Sequence, residues 1–484
     1  MAKFYIATAI PYVNDKPHLG HALLHLYGDV LARYHRQLGD EVVFSAGTDE
    51  HGGKVAEAAA SANLPPKQFV DKVSVQFRDG LKKLQISNDR FIRTTDQGHE
   101  QRAQLIWQTL AKDIYKKAYE GMYCVGCEEF KTDVYVKETK GLCPLHNRAY
   151  EKVQEENYFF GLSKYTAKVK EVVENDQYKI VPTSRKNEIL SVINQGLQDI
   201  SISRPKNKIP WGIPVPGDDR QTMYVWFEAL MNYITVLGYP EHADFKKYWP
   251  ADVQVIGKDI LRFHAAVWPA MLLGLGISPP KQLYVHGFVT SGGKKMSKTL
   301  GNVVDPLEIV DKYGVDAFRY FFLRHIPSYG DGDFTWELFD AAYNSELADQ
   351  LGNAVSRTAA MIVKYQNGLI GNIPAPRHDI APFQAAISDC RFDRALELIW
   401  EQIKGLNQYV DEEKPWEIAK SGDNEHLQEV LANLVANLLE IAELLTPFMP
   451  AAATKIQQTF GSGVLKPLPG PLFPKHQTTA ASAA

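Results

Sequence analysis

Residues 4–21 read Phe4-Tyr5-Ile6-Ala7-Thr8-Ala9-Ile10-Pro11-Tyr12-Val13-Asn14-Asp15-Lys16-Pro17-His18-Leu19-Gly20-His21. Phe4 to Ile10 is an apolar run of strand length, and Pro11 and Pro17 bracket a loop. From Leu19 onward, Leu23, Leu26, Val30 and Tyr34 keep helical spacing until Gly39 stops the helix. His18 and His21 therefore stand where a strand hands over to a helix N-terminus, whose unpaired N–H groups and dipole favour anions. Gly20 between them leaves room for a flat ring or a phosphate to approach the backbone.

Working outward, the same strand-then-helix rhythm continues. Glu41-Val42-Val43-Phe44 reads as a second strand and Lys54 to Ala62 as a helix. After an interruption come a strand at Val253-Gln254-Val255-Ile256, a helix from Ile260 to Leu275 and a strand from Gln282 to Val289. This order predicts an α/β fold, a doubly wound parallel-sheet (Rossmann-like) domain in two halves, 1–115 and 221–333. Segment 116–220, with its turns, cysteines and short β-like runs, is expected to be an inserted connective domain. Residues 334–460 are helical and Ala/Leu-rich, as in an antiparallel all-α bundle. A tail follows over 461–484, its last ten residues expected to be disordered.

Four polar clusters each follow an apolar strand: Pro11 to Asn14, Gly47 to Gly52, Gly257-Lys258-Asp259 and His286-Gly287-Phe288. In a parallel sheet, ligands bind beyond the carboxyl ends of the strands. Four separated segments are thus expected to meet at one crevice.

The chain has 484 residues, 45% hydrophobic and 23% charged, which suits an ordinary globular protein of two or three domains. No apolar stretch has the length of a membrane span, and there is no signal-peptide pattern, so a cytoplasmic protein is expected. Net charge is −4, so a nucleic acid would have to be held by local basic patches.

Two further motifs carry chemistry. Gly292-Gly293-Lys294-Lys295-Met296-Ser297-Lys298 places lysines on a glycine-bearing loop, suited to a polyphosphate whose charge shifts during reaction. A solvated basic loop is the plainer alternative. Cys124-x2-Cys127-x15-Cys143-x2-His146 has the spacing of a structural zinc site, with no position left for substrate. Free thiols or a disulfide are the alternatives. Cys390 is expected to line a helix in the core.

As an ordered pair, His18-Leu19-Gly20-His21 and Lys295-Met296-Ser297-Lys298 resemble the signatures of class I aminoacyl-tRNA synthetases. With Thr8 to Tyr12, Gly47 to Gly52, Val225 to Leu230, Gly257 to Trp268 and His286 to Asn302, the chain resembles the methionyl-tRNA synthetase family, single zinc-knuckle type, over 1–460. One departure is Thr299, where that family more often has Ser; the hydroxyl is kept.

The resemblance implies ATP-dependent ligation of L-methionine to tRNA(Met) through methionyl-adenylate, releasing pyrophosphate and AMP. It assigns catalysis to His18, His21, Lys295 and Lys298. Tyr12, Asn14, Gly20 and Met296 would join them around ATP, with Mg2+ accompanying the nucleotide. The methionine pocket falls to Ile10, Tyr12, Asp49, Trp226, Tyr233, Asp259, Phe263, His264 and Trp268. A thioether is soft and favours aromatic edges, and carboxylates suit the substrate ammonium. Trp226 and Tyr233, at i and i+7, could equally be plain core. One structural Zn2+ is implied at the four-ligand knuckle.

Anticodon recognition falls to Asn353, Arg357 and Trp416, stacking and base-edge contacts being how single strands are read. Solvated helix residues and a core Trp are the alternative there. A monomer is expected.

Three rival readings are less consistent with the sequence. Synthetases for branched aliphatic amino acids often need a separate editing site, and only about 100 residues remain for an insertion. Cysteinyl-tRNA synthetases hold zinc through dispersed ligands, whereas these are locally paired. Synthetase-like proteins that have lost catalysis usually lose a signature histidine or lysine, and here none is missing.

Overall fold

Six strands share one parallel sheet: β1 (Lys3–Thr8), β2 (Glu41–Thr48), β3 (Arg90–Arg93), β4 (Lys179–Val181), β5 (Val253–Gly257) and β6 (Gln282–His286). Their spatial order is β3-β2-β1-β5-β6-β4. The computed structural model describes residues 1–127, 129–131, 133–295, 303–375 and 378–476. Ile6 lies opposite Phe44 on one side and Val253 on the other, so the N-terminal strand occupies the middle of the sheet. Both faces are covered, as a parallel sheet requires. On one, Phe4 stacks on His35 of helix α1 (Leu19–Gln37), with ring centroids 3.5 Å apart. On the other, Tyr5 donates its hydroxyl to the carbonyl of Tyr233 at 2.8 Å.

Three elements differ from the sequence expectation, two of them for visible physical reasons. The Ile260-to-Leu275 helix is broken into a π-helical turn, Phe263–Val267, and an α-helix, Trp268–Gly274. Pro269 has no N–H to return to the preceding turn, and the backbone widens ahead of it. The run from Gln282 to Val289 is two strands: after β6, the segment Val289–Ser291 pairs instead with Lys294–Lys295 and Gly332–Phe334. At the break, Gly287 passes so close to Gly330 that an added Cβ would lie 2.0 Å from its carbonyl oxygen. Trp226 and Tyr233 occupy two short helices, Val225–Ala229 and Asn232–Thr235, rather than one helix face.

Edge strand β4 comes from within the 116–220 interval and pairs with β6. The part of that interval standing off the sheet is a long hairpin, Ile114–Cys124 with Glu151–Phe160, which carries the cysteine motif at its tip. From Trp336 onward the chain is helical: after Trp336–Ala342 and Tyr343–Gly352 come Asn353–Gln366, Ala381–Ser388, Phe392–Glu413, Pro415–Ser421, Asn424–Leu445 and Pro450–Phe460. Cys390 is buried, as expected, but in a turn with φ 55° rather than in a helix, and Gln282 donates to its sulfur.

Beyond the last helix, the tail returns along the bundle. Leu465 donates its N–H to Gly368, Phe473 is buried, and Asn344 bonds both backbone groups of His476. Residues 477–484, most of the stretch expected to be disordered, lie outside the described residues. Among the described residues, no helix is long and apolar enough to cross a membrane.

Candidate active site

The site grows from the carboxyl edge of the sheet. After β1 the chain runs through Ile10 to Asn14; after β2 it reaches Asp49. The two connections are laced together: Asp49 donates its N–H to Pro11 and accepts from Val13. Asp49 is buried, Ile10 and Tyr12 are partly exposed, and Asn14 is exposed.

His18 opens helix α1 as its N-cap, its Nδ1 accepting the Gly20 N–H at 3.1 Å. Its ring stacks on that of His21 at 3.7 Å. A Cβ on Gly20 would lie 3.0 Å from the His18 ring, so the glycine makes room for His18 itself, a more local use than the sequence suggested. His21 keeps its Nδ1 sealed from solvent with no partner among the described residues. Burial, then the neighbouring His18 and His25, holds its pKa well below the usual imidazole value. A neutral imidazole with an unspent ring nitrogen thus sits on the first turn of α1, where no acidic side chain competes for an anion.

Beyond Tyr12, aromatic rings form a continuous row. Tyr12 meets Trp226 edge-on at 5.8 Å, and Trp226 stacks on Phe263 at 4.4 Å and 7°. These three rings are partly exposed, and Trp226 packs against the main hydrophobic core. Behind them, Tyr233, His264 and Trp268 are fully buried. The Tyr233 hydroxyl lies 2.8 Å from His264 Nε2, and His264 Nδ1 lies 3.0 Å from the Ile260 carbonyl. A carbonyl only accepts, so Nδ1 carries the hydrogen. Burial lowers the His264 pKa to about 4, which leaves Nε2 to accept from Tyr233. Asp259, after β5, is exposed at the mouth.

The basic hairpin rises from the same edge. β6 ends at His286, whose Nδ1 donates to the Gly287 carbonyl and whose buried Nε2 has no partner among the described residues. The chain then turns at Gly292 and Gly293, both with positive φ, into Lys294–Lys295. Lys295 is placed by its backbone; its side chain, Met296, Lys298 and Thr299 lie outside the described residues. β1 and β6 flank β5 in the sheet, so the histidine turn and the hairpin leave strand ends separated by one strand. Helix Pro66–Lys83 touches both sides: its Phe77 meets His21 at 5.5 Å, and it packs on Pro306–Tyr313, the helix after the basic loop.

At the hairpin tip, the ligand-type atoms of Cys124, Cys127, Cys143 and His146 all lie within 4.8 Å of one another. Cys127 Sγ is 3.6 Å from Cys143 Sγ and 3.5 Å from His146 Nδ1. A tetrahedron with metal–sulfur bonds of about 2.3 Å has edges of about 3.8 Å, so this donor set fits one metal ion. A Cβ on Gly126 would lie 2.4 Å from the His146 ring, so only glycine permits that approach. None of the four cysteines of the chain is paired in a disulfide.

In the helical region, Asn353 is exposed and Arg357 follows one turn later on helix Asn353–Gln366. The Arg357 guanidinium lies 5.9 Å from the Trp416 ring centroid and 3.0 Å from Asp411. The structure therefore brings together two residues separated by 59 positions, with Trp416 half-buried and packed against the core.

One cluster was not read from the sequence. His51, two residues past Asp49, and His99 both bond the fully buried carboxylate of Glu228, two residues past Trp226. His51 and Glu228 lie within the runs Gly47 to Gly52 and Val225 to Leu230, but no spacing pattern pairs side chains 177 residues apart.

The family model for tRNA synthetases class I (M) matches residues 4–153 and 142–359. A methionine--tRNA ligase of Caldanaerobacter subterraneus is 43% identical over 95% of this chain and 74% of that protein. One from Streptomyces coelicolor is 40% identical over 99% and 93%. Among solved structures, Mycobacterium tuberculosis methionyl-tRNA synthetase in complex with methionyl-adenylate superposes with a TM-score of 0.90 at 35% identity, covering 98% of this chain and 100% of that one. Its free form gives 0.84 at 32% identity, covering 99% of each. With a histidine pair at the carboxyl edge of a parallel sheet, a four-ligand knuckle and relatives matched over nearly the whole of this chain, the chain belongs to the methionyl-tRNA synthetase family of class I aminoacyl-tRNA synthetases.

Proposed function

We propose that this chain ligates L-methionine to tRNA(Met) in two steps at the crevice. In the first, the methionine carboxylate attacks the α-phosphorus of ATP, forming methionyl-adenylate and expelling pyrophosphate. In the second, a terminal ribose hydroxyl of the tRNA attacks the adenylate carbonyl, forming the ester and releasing AMP. No covalent enzyme intermediate is needed; the protein positions anions and offsets their charge.

The observation that carries this reading is the meeting of the His18–His21 stack on α1 with buried Asp49 and the Tyr12–Trp226–Phe263 wall at one sheet edge. His18 and His21 would hold the ATP phosphates at the helix N-terminus, with Gly20, Tyr12 and Asn14 alongside. Lys295, Met296 and Lys298 would close over the departing pyrophosphate, and Mg2+ would accompany the nucleotide. Asp49 would take the methionine ammonium, Asp259 nearby polar groups, and Ile10 with the aromatic wall the thioether. Tyr233, His264 and Trp268 would form the floor of that pocket.

Zinc at the knuckle would brace the hairpin and take no part in the reaction. The helices from Trp336 onward would form the anticodon-binding domain, reading tRNA through Asn353, Arg357 and Trp416. We place the protein in the cytoplasm as a monomer.

The test is methionine-dependent exchange of pyrophosphate into ATP. His21→Ala should lower that exchange at least about a hundredfold, the scale of one lost oxyanion donor. Exchange supported by another amino acid in preference to methionine would overturn the substrate assignment. Near-normal exchange by the variant would remove His21 from the mechanism.

A further inference from the structure

Glu228 has no exposed surface, and each of its oxygens is committed. Oε1 lies 3.0 Å from His51 Nδ1 and Oε2 lies 2.9 Å from His99 Nε2. His99, itself buried, passes the connection on through Nδ1 to Thr235 Oγ1 at 2.8 Å. The far side of the His51 ring faces Glu100 at 3.6 Å and the Trp211 indole at 5.5 Å. Burial by itself would lower the His51 pKa, but the Glu228 carboxylate, joined by Glu100 and Asp49, outweighs it, and together they raise the value to about 10. The same imidazole holds the Glu228 carboxyl below its usual range against its own burial. The pair is therefore a charged, desolvated bridge, whose geometry is costly to disturb because breaking it strands a buried charge.

What the bridge joins matters more than its strength. Glu228 and Trp226 share the short helix Val225–Ala229, and Thr235 and Tyr233 share Asn232–Thr235. His51 lies two residues past Asp49, in the connection already laced to Pro11 and Val13. A single carboxylate thus ties the two helices bearing pocket aromatics to the loop bearing the pocket carboxylate. We propose that Glu228 is a positioning residue for amino-acid selection, fixing Trp226 and Tyr233 relative to Asp49 so that the pocket accepts a side chain of one length. The proposal rests on the methionine pocket assigned above.

The test compares full-length Glu228→Gln with the parent in pyrophosphate exchange, using L-methionine and its one-methylene-longer analogue L-ethionine. Glutamine can accept one of the two hydrogen bonds but not both. The KM for methionine should rise about tenfold while the KM for ATP stays within about twofold. The methionine-over-ethionine ratio of kcat/KM should narrow about fivefold, since a loosened apolar pocket discriminates a methylene less well. Thr235→Val, which removes the His99 anchor to the second helix together with a long 3.4 Å bond to the Asn232 carbonyl, should shift both readouts the same way by about threefold.

A folded Glu228→Gln protein, melting within about 5 °C of the parent, with both readouts unchanged or with both KM values raised alike, would overturn the proposal. If Glu228→Gln fails to fold, Thr235→Val decides by the same two criteria. Trp226→Ala separates this proposal from the pocket reading beneath it. Unchanged methionine KM in Trp226→Ala would sink the pocket itself, whereas a raised KM there with an unaffected Glu228→Gln would sink only the positioning role.

Discussion

At the residue scale, Tyr233 and His264 show how one hydroxyl can settle the state of a buried ring. His264 gives its Nδ1 hydrogen to Ile260, so Nε2 needs a donor, and Tyr233 is the donor present. Tyr233→Phe keeps the ring and the packing against Trp268 but leaves Nε2 unpaired in an apolar setting. The expected cost is about 1–3 kcal/mol of folding stability, read as a lower urea midpoint at unchanged slope. A midpoint equal to the parent's would mean that another donor serves His264. Neither partner's role was legible as a pair, because hydrogen bonds across 31 residues and two elements leave no periodic trace. His18 was more legible. Its place before an apolar helical repeat marked a helix start, although the ring's use as the cap itself required coordinates.

At the scale of elements, the sequence was most readable where one local rule dominates. The strand from Phe4, the helix from Leu19 and the paired cysteine turns each follow from spacing within a few residues, and each formed as expected. The knuckle therefore supports a direct expectation. Metal analysis of the purified chain should find one zinc per molecule, and Cys143→Ser should abolish that stoichiometry. Metal retained undiminished by the variant would contradict the ligand set.

Elements decided by tertiary partners were harder to read. β4 is only three residues long and is a strand because β6 offers it an edge. The break at Phe263–Val267 depends on a proline whose effect could also have been a simple helix start. The Asn353–Gln366 helix lies between these cases: the i, i+4 pair was readable, its meeting with Trp416 was not. Because Arg357 already holds a cation near the Trp416 face, a base stacking there would add to an organised surface. Trp416→Ala should lower aminoacylation efficiency by about 5–150-fold, the equivalent of about 1–3 kcal/mol for one stacked base, and spare pyrophosphate exchange. Equal loss in both assays would place the indole in folding rather than in tRNA reading.

At the scale of the whole molecule, two halves are welded by a buried arginine. Arg319 pairs with Asp29 of α1 at 2.6 Å and donates to the carbonyls of Pro447 and Phe448, between the last two helices of the bundle. The helix that presents His18 and His21 is thereby fixed to the region proposed to bind the anticodon. Histidine burial across this welded body sets how stability varies with pH. Burial, with some help from His286, lowers the His25 pKa to about 3, and burial lowers His264 to about 4.

Both rings are neutral when folded, but an unfolded chain protonates them below about pH 6.5. Stability must therefore fall as pH drops from about 6.5 towards those values, by up to about 1.4 kcal/mol per pH unit for each histidine. His51 acts in the opposite sense. Its raised pKa of about 10 gives a contribution complete below its unfolded value and lost as pH climbs through 10. On these groups the melting temperature should thus peak near pH 6.5, the unfolded value from which both limbs fall.

His25→Asn is the discriminating variant. Its amide can still face Thr8 Oγ1, which lies 2.9 Å from His25 Nδ1, yet it cannot take up a proton. Melting curves between pH 4.5 and 7 should show a shallower acid limb for the variant, by about one proton's worth of slope. Acid limbs of equal steepness would mean that His25 does not change its proton occupancy on folding, and that the sheet's underside is wetter than its packing implies.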